Sequence, residues 1–342
     1  MIKPRVSNIR EVAAIAGVST ATVSRALQHP AKVREETRRK VLDAVAKVNF
    51  VPNAQAASFR RQSTQTVILL VSDIGNPFYL EIYKGVEEAA SEAGYKVLMG
   101  DARDDMARVS NHIDMVRQKQ ADGLILMVGQ LPPELAESPE LLPPIVLASE
   151  TMPGIELPTV KVDNKAASRN AVRHLVEAGH RQIAHIAGPM PGSLALERLE
   201  GYRQALADAG LPYREALVAG GDYSIESGRL AVRGLLAGGL PFTALFASSD
   251  QMAIGAIGEL RSHGLAVPID VSVIGFDDII FANAFEPPLT TVRQPRLQLG
   301  RQAMNLMVDR LGGRTTKETI VLETELILRG SVMPRQTGAD ER

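Results

Sequence analysis

Two groups of polar side chains in this chain stand where their surroundings give them chemistry to do. The first lies in EVAAIAGVSTATVSRAL, residues 11–27, where Ser19, Thr20, Ala21, Thr22, Ser24 and Arg25 follow a glycine closely. Short hydroxyl side chains suit phosphate oxygens, small residues such as Thr20 and Ala21 permit close approach, and an arginine one turn further on can pair bidentately with a guanine edge. The second group is scattered in sequence but follows short apolar runs: Phe78 and Tyr79 in DIGNPFY, Arg198 in LALERLEG, Ser249 and Asp250 in ASSD, and Asp277 in GFDD. An arginine and a carboxylate from different loops can hydrogen-bond vicinal hydroxyls, and two aromatic side chains can flank a sugar or a base. On these residues alone, helix capping by Asp277 and interior packing by Phe78 stay open as alternatives.

The first group needs helices to position it. Asn8 can cap a helix whose apolar residues Ile9, Val12, Ala13 and Ala16 share one face, and Gly17 supplies the left-handed backbone that ends it. Ser19 caps a second helix from Thr20 to about Leu27. There Val23 and Leu27 face inward with Val18, which turns Thr20, Ala21, Thr22, Ser24 and Arg25 outward. Ala13 lets the two helices cross closely, the geometry of a helix-turn-helix whose second member enters a major groove. A third helix, REETRRKVLDAVAKVNF, offers Val41, Leu42, Val45 and Val48 as its buried stripe and closes a small core. Pro52 then breaks the pattern. Asn53 can cap one short helix from Ala54 to Arg60, too short to be stable alone in water, so it is expected to order only against a partner. Within it Phe59 stands where an apolar wedge could enter a minor-groove base step, with Arg60 and Arg61 on phosphates; a plain linker is the alternative.

Charge separates this head from the rest. Residues 1–61 hold twelve Lys and Arg against four acids, a net +8 in a chain whose total is −1, so the remainder carries −9. A small cationic head on an anionic body suggests a polyanionic partner for the head alone.

The second group needs sheets. From Thr66 onward, apolar runs (VILLVSD, KVLMGDA, DGLILMV, PIVLASE) alternate with amphipathic stretches such as YLEIYKGVEEAASEAG. A second series follows VKVDN and includes QIAHIAG, TALFASSD and VSVIGFDD. This alternation predicts two doubly wound parallel α/β lobes, and LTTVRQP with TIVLETELILRGS is expected to carry the chain back across their junction. The expected division is a helix-turn-helix over 1–50, a hinge helix and linker over 51–65, and an effector-binding and dimerisation domain over 66–342. Its first lobe takes about 66–162 and 293–323, its second about 163–292 and 324–335. In open α/β sheets, ligands bind beyond the carboxyl ends of the strands, where the second group of residues lies.

Other chemistry is excluded by what is missing. The chain has no Cys, which removes disulfides, thiolate nucleophiles and cysteine metal sites. It carries no phosphate loop, dinucleotide fingerprint, nucleophile elbow or zinc-protease motif, and its six histidines lack ligand spacing. The expectation is a non-enzyme with no cofactor and no metal. With 45% hydrophobic and 23% charged residues, no signal-like apolar core at the N-terminus and no run of about 18 apolar residues, a cytoplasmic protein without membrane contact is expected.

The stretch IREVAAIAGVSTATVSRALQHPAKVREETRRKVLDAVAKVNFVPN resembles the DNA-binding head of the lactose repressor family, and the similarity continues over nearly the whole chain. That resemblance implies a dimeric repressor on a palindromic operator. It also implies a hinge helix that intercalates a leucine at the operator centre, where this chain has Phe59, and a periplasmic-sugar-binding-like sensor. By the same resemblance Arg198 and Asp277 match residues that bind ligand hydroxyls, and Phe78 and Tyr79 match aromatic positions at the cleft. Phe246 matches a position that stacks on a ring, and Gln294 lies at a lobe crossover. Purine-sensing relatives grip their base with polar residues where this chain has Gly192 and Leu194, so a purine-base corepressor is disfavoured. GDARDD, LPTVKVDN, EPPLTTVRQPR and ELILRGS look most like the cytidine-repressor branch, which implies a nucleoside or pentose effector. Two rivals are an enzyme on the same fold, which would turn nucleosides over, and a carbohydrate- or nucleoside-binding transport module, whose mature chain would begin inside the body. MPRQTGADER has no heptad leucines, so a dimer is expected rather than a tail-bundled tetramer.

Overall fold

The computed structural model describes residues 8–51, 62–314 and 317–335, in two compact units that meet in sequence between Thr64 and Gln65. In the first unit, α1 (Ile9–Ala16), α2 (Thr20–Gln28) and α3 (Glu35–Val48) pack around Val12, Ala13, Val23, Ala26, Val41 and Ala44. Asn8 Oδ1 accepts from the backbone N–H of Arg10 and Glu11 at 3.0 and 3.1 Å, which fixes where α1 starts. Gly17, at φ 66°, ends it: its own N–H reaches Ala14 O and the Val18 N–H reaches Ala13 O, closing the last turn. Leu42 departs from expectation. It is 43% exposed, because the face that meets α1 runs through residues 41, 44, 45 and 48, and Leu42 lies about 100° round the helix from Val41.

The second unit holds two six-stranded sheets. The first runs β11-β5-β4-β3-β1-β2, from strands β1 (Thr66–Val71), β2 (Lys96–Asp101), β3 (Gly123–Met127), β4 (Ile145–Ala148), β5 (Thr159–Val162) and β11 (Thr319–Leu322). The second runs β12-β10-β9-β8-β6-β7, from β6 (Ile183–Ala187), β7 (Val218–Gly220), β8 (Ala244–Ala247), β9 (Ser272–Asp277), β10 (Thr290–Arg293) and β12 (Glu325–Ile327). Every pairing is parallel except that of β12 with β10. The short edge strand β7 carries no strong apolar run and was not among the predicted strands.

Alternation distributes each strand between two cores. Val67, Leu69 and Val71 face helices α4 (Phe78–Glu92) and α11 (Arg296–Leu311), while Ile68 and Leu70 face α5 (Met106–Arg117); a single turn, α6 (Pro133–Ala136), lies beyond β3. In the second lobe Leu245 and Ala247 face α9 (Ile225–Ala237) and α10 (Asp250–Ser262), and Ala244 and Phe246 face α7 (Asn164–Glu177) and α8 (Ser193–Asp208). The helix pairs touch backbone to backbone at glycines. A Cβ on Gly85 of α4 would run into the carbonyl of Leu297, and one on Gly300 of α11 would run into that of Ile82. Close crossing at these points ties α11, which follows second-lobe strand β10, onto the first lobe. The chain crosses between lobes at 163, at 294–295 and again between β11 and β12.

Gly85→Ala is expected to destabilise the chain by about 1–3 kcal/mol through backbone overlap. Gly234→Ala on α9, where a Cβ meets nothing within 4 Å, should be neutral or stabilising by about 0.4–1 kcal/mol. Denaturant unfolding of both variants checks the contrast; equal effects would contradict the packing described.

Candidate DNA-contact helix and interlobe cleft

In the first unit, the Ser19 hydroxyl accepts from the Thr22 N–H at 3.1 Å and lies 2.9 Å from the Thr22 hydroxyl, which fixes the start of α2. Thr20, Ala21 and Arg25 are exposed on one side of α2, Thr22 and Ser24 are half-buried, and Val23 and Ala26 form the inward face. Asn53, Phe59 and Arg60 lie outside the described residues.

In the second unit a cleft of about 830 Å³ opens between the carboxyl ends of the two sheets, within the size range of small-molecule sites. Ser72, Tyr79, Glu150, Ser193 and Tyr223 are among the residues lining it. Tyr79 lies in the first turn of α4 and its hydroxyl meets Ser72 Oγ at 2.7 Å. Glu150, just past β4, accepts from Ser193 Oγ at 3.2 Å, a hydrogen bond from one lobe to the other. Burial pushes Glu150 up to about 8, against the Ser193 hydrogen bond and the charge of Arg198. Tyr223 lies against Gly188, where a Cβ would collide with its ring, and is itself held at φ 70°.

Behind this lining lies a buried polar cluster at the strand ends of the second lobe. The Arg198 guanidinium, on α8, is 4% exposed. Its Nε donates to Asn164 Oδ1 at 2.9 Å, another nitrogen donates to the carbonyl of Ser248, and its centre sits 3.8 Å from the Phe276 ring centroid and 5.9 Å from that of Tyr223. Asp277 ends β9 with φ 123°, a backbone conformation that L side chains rarely adopt, and its Oδ1 accepts from Gln294 Nε2 at 2.8 Å. Asp250 opens α10, accepting from Thr291 Oγ1 at 2.5 Å and from the Ile279 N–H at 2.8 Å. Burial pushes Asp277 up to about 6, opposed by the positive charges of Arg198 and Arg296. Burial and the nearby charge of Asp277 push Asp250 well above the carboxylate range.

The structure thus brings Arg198, Asp277 and Gln294 together and puts Tyr79 on the cleft, but three aromatic and polar expectations are corrected. Phe246 is fully buried and stacks on His185 at 5.1 Å, because the alternation of β8 turns it into the α7–α8 core. Ser249 is the cap of α10, its hydroxyl accepting from the Met252 N–H at 3.2 Å. Phe78 packs edge-on to Tyr79 at 5.2 Å in a core cluster that also takes in Ile279 of the second lobe. Glu150 and Tyr223 were missed in the sequence. Their only signals there are positional, each following an apolar or glycine-rich strand end. Among the described residues no group of three or more His, Cys, Asp or Glu could hold a metal, and no helix is long and apolar enough to cross a membrane.

A helix-turn-helix ahead of two doubly wound lobes with a polar cleft is the architecture of a bacterial transcription regulator. Comparison with known proteins makes the class specific. Residues 8–53 match the family described as bacterial regulatory proteins, lacI family, and residues 172–332 match the periplasmic binding protein-like domain. The chain is 41% identical over 327 residues to the HTH-type transcriptional repressor CytR of Escherichia coli K12, covering 95% of this chain and 96% of that one. It is 37% identical to the transcriptional regulator CelR of Thermobifida fusca over 97% of this chain and all of that one. Among solved structures it resembles the lac repressor dimer bound to operator and the anti-inducer ONPF (TM-score 0.86, 27% identity, 96% of this chain and 100% of that one) and the CelR–cellobiose complex (TM-score 0.73, 37% identity, 95% and 99%). The chain belongs to the LacI family of transcriptional regulators, and these relatives are named as regulators, not enzymes.

Because Glu150 titrates higher folded than at its ordinary 4.5, its stabilising contribution is present below about pH 4.5 and is lost as pH rises toward about 8. Glu150→Gln should therefore melt with the parent chain at low pH and progressively above it as pH rises through that window. A pH-independent difference in melting temperature would contradict the buried-carboxyl assignment.

Proposed function

We propose that this chain is a dimeric, cytoplasmic repressor that binds a near-palindromic operator through α2, with affinity controlled by a nucleoside or pentose held in the interlobe cleft. Thr20, Ala21 and Arg25 are assigned to base edges, and Ser19, Thr22 and Ser24 to backbone phosphates. Phe59 is assigned to a wedge at the operator centre and Asn53 and Arg60 to flanking contacts, by family resemblance. The observation that carries the DNA-binding reading is the exposed face of α2: Thr20, Ala21 and Arg25 lie together on a helix whose start is fixed by the Ser19 cap and whose back is buried. Relatives described as a repressor, and as complexes with operator or with cellobiose, support operator and effector binding as a class.

In the cleft, Arg198, Asp277 and Gln294 are assigned to ligand hydroxyls and Tyr79 to one face of the ligand ring. Gln294 gives this cluster its reach. It bonds Asp277 of the second lobe and stands on the crossover into α11, which packs on the first. A ligand that moves Asp277 therefore pulls on the segment joining the lobes, and a coupling factor of about 5–150 between effector and operator would amount to about 1–3 kcal/mol.

Arg25→Ala tests the base-reading assignment. In a fluorescence-anisotropy titration it should lose about 1–3 kcal/mol of preference for the operator over a scrambled duplex, with weaker loss on the scrambled duplex itself. Unchanged discrimination would remove Arg25 from base recognition.

A further inference from the structure

The charge of the cleft, resting on its reading as the effector site, narrows the chemistry of the effector. Five carboxyl groups line it: Asp73, Asp101, Asp104 and Glu150 from the first lobe and Asp222 from the second. Against them stands one guanidinium, Arg103, already bonded to Asp101 at 2.7 Å. With Glu150 protonated the lining still carries four negative charges against one positive. Arg103 and Asp104 are consecutive non-glycine residues at φ 51° and 53°, so the backbone holds this acidic turn in an uncommon conformation. Burial pushes the Asp104 carboxyl up, and the charges of Asp222, Asp73 and Asp101 push it further. Burial works the same way on Asp222, but hydrogen bonds from Ser224 and Ser227 outweigh it and keep Asp222 below its ordinary range. Like charges from the two lobes, at the exposed residues Asp104 and Asp222, thus act on the same space.

We infer that the cleft selects an effector bearing no phosphate or carboxylate, whose amine, amide or hydroxyl donors bridge Asp104 of the first lobe and Asp222 of the second. Such donors replace a repulsion between the lobes with an attraction to each, so binding and lobe closure are one event. A phosphoryl group on the same molecule would bring two negative charges into an acid-lined space with no uncommitted guanidinium on its lining to receive them. The lining that admits the parent molecule therefore rejects its phosphorylated form.

The test uses full-length protein and matched probes at fixed ionic strength and pH 7.5: cytidine and its 5′-monophosphate, adenosine and its 5′-monophosphate, ribose and ribose 5-phosphate. Thermal shift should find at least one unphosphorylated probe that binds, with its phosphate weaker by at least about tenfold. The Asp104→Asn, Asp222→Asn double variant should bring the two within about threefold. Without any probe the double variant should also melt above the parent chain. A phosphorylated probe that binds as well as its parent molecule, and is lost on Arg198→Ala, would overturn the inference while leaving the cleft reading standing. Silence from every probe would overturn both. Equal melting of the double variant and the parent chain would show that no repulsion exists to be relieved, and would overturn the inference whatever binds.

Discussion

Arg198 places a full positive charge inside the second lobe and holds it with neutral partners: an amide oxygen on Asn164, the carbonyl of Ser248 and the face of Phe276. A buried guanidinium is costly unless its hydrogen-bonding groups are satisfied, so each of these partners is constrained in turn. Asn164 must stay at the start of α7, Ser248 at the end of β8 and Phe276 one residue before Asp277. The next residue, Asp277, stands at φ 123° beside a second buried carboxyl, Asp250. Two acids and one base, none of them in water, form a cluster whose charge balance any bound molecule will alter.

The cluster is not confined to one lobe. Gln294 bonds Asp277 from the crossover just past β10, and Arg296, two residues on, donates to the Asp278 carbonyl at 2.6 Å and pairs with Glu81 of α4 at 3.0 Å. Asp278, at φ 56°, also binds Arg293 and Arg329. The hinge between the lobes is therefore a chain of hydrogen bonds and ion pairs that begins at the buried Asp277 carboxyl. Across the cleft, Glu150 and Ser193 supply one direct link between lobes, whereas Asp104 and Asp222 repel. Against opposing interactions of this kind, a molecule that binds one lobe arrangement better than another would shift the balance toward it.

Much of this was legible in the sequence, for physical reasons. Parallel strands buried on both faces read as continuous apolar runs, so VILLV and GLILM announced themselves, while β7, with the sequence VAG at a sheet edge, did not. Asn8, Gly17 and Ser19 were readable because capping is local chemistry. Arg198 and Asp277 were readable because ligands gather at strand ends. What escaped was direction and distance: whether Phe246 faced cleft or core was set by which face of β8 meets α7 and α8, and whether Ser249 served a ligand or a helix depended on the Met252 N–H beside it. Glu150 and Tyr223 had no motif to mark them. Their importance comes from residues that lie 43 and 35 positions away, Ser193 and Gly188, and that only the folded chain brings near.

The account stands on a coupling between the occupied cleft and the grip of α2 on DNA. The direct measurement is the dissociation constant of the full-length protein for its operator duplex, by anisotropy at fixed salt, with and without a saturating nucleoside or pentose that raises its melting temperature. The account predicts a change of at least about fivefold in either direction, abolished by Arg198→Ala. An operator affinity that stays the same while the same molecule demonstrably binds would contradict it.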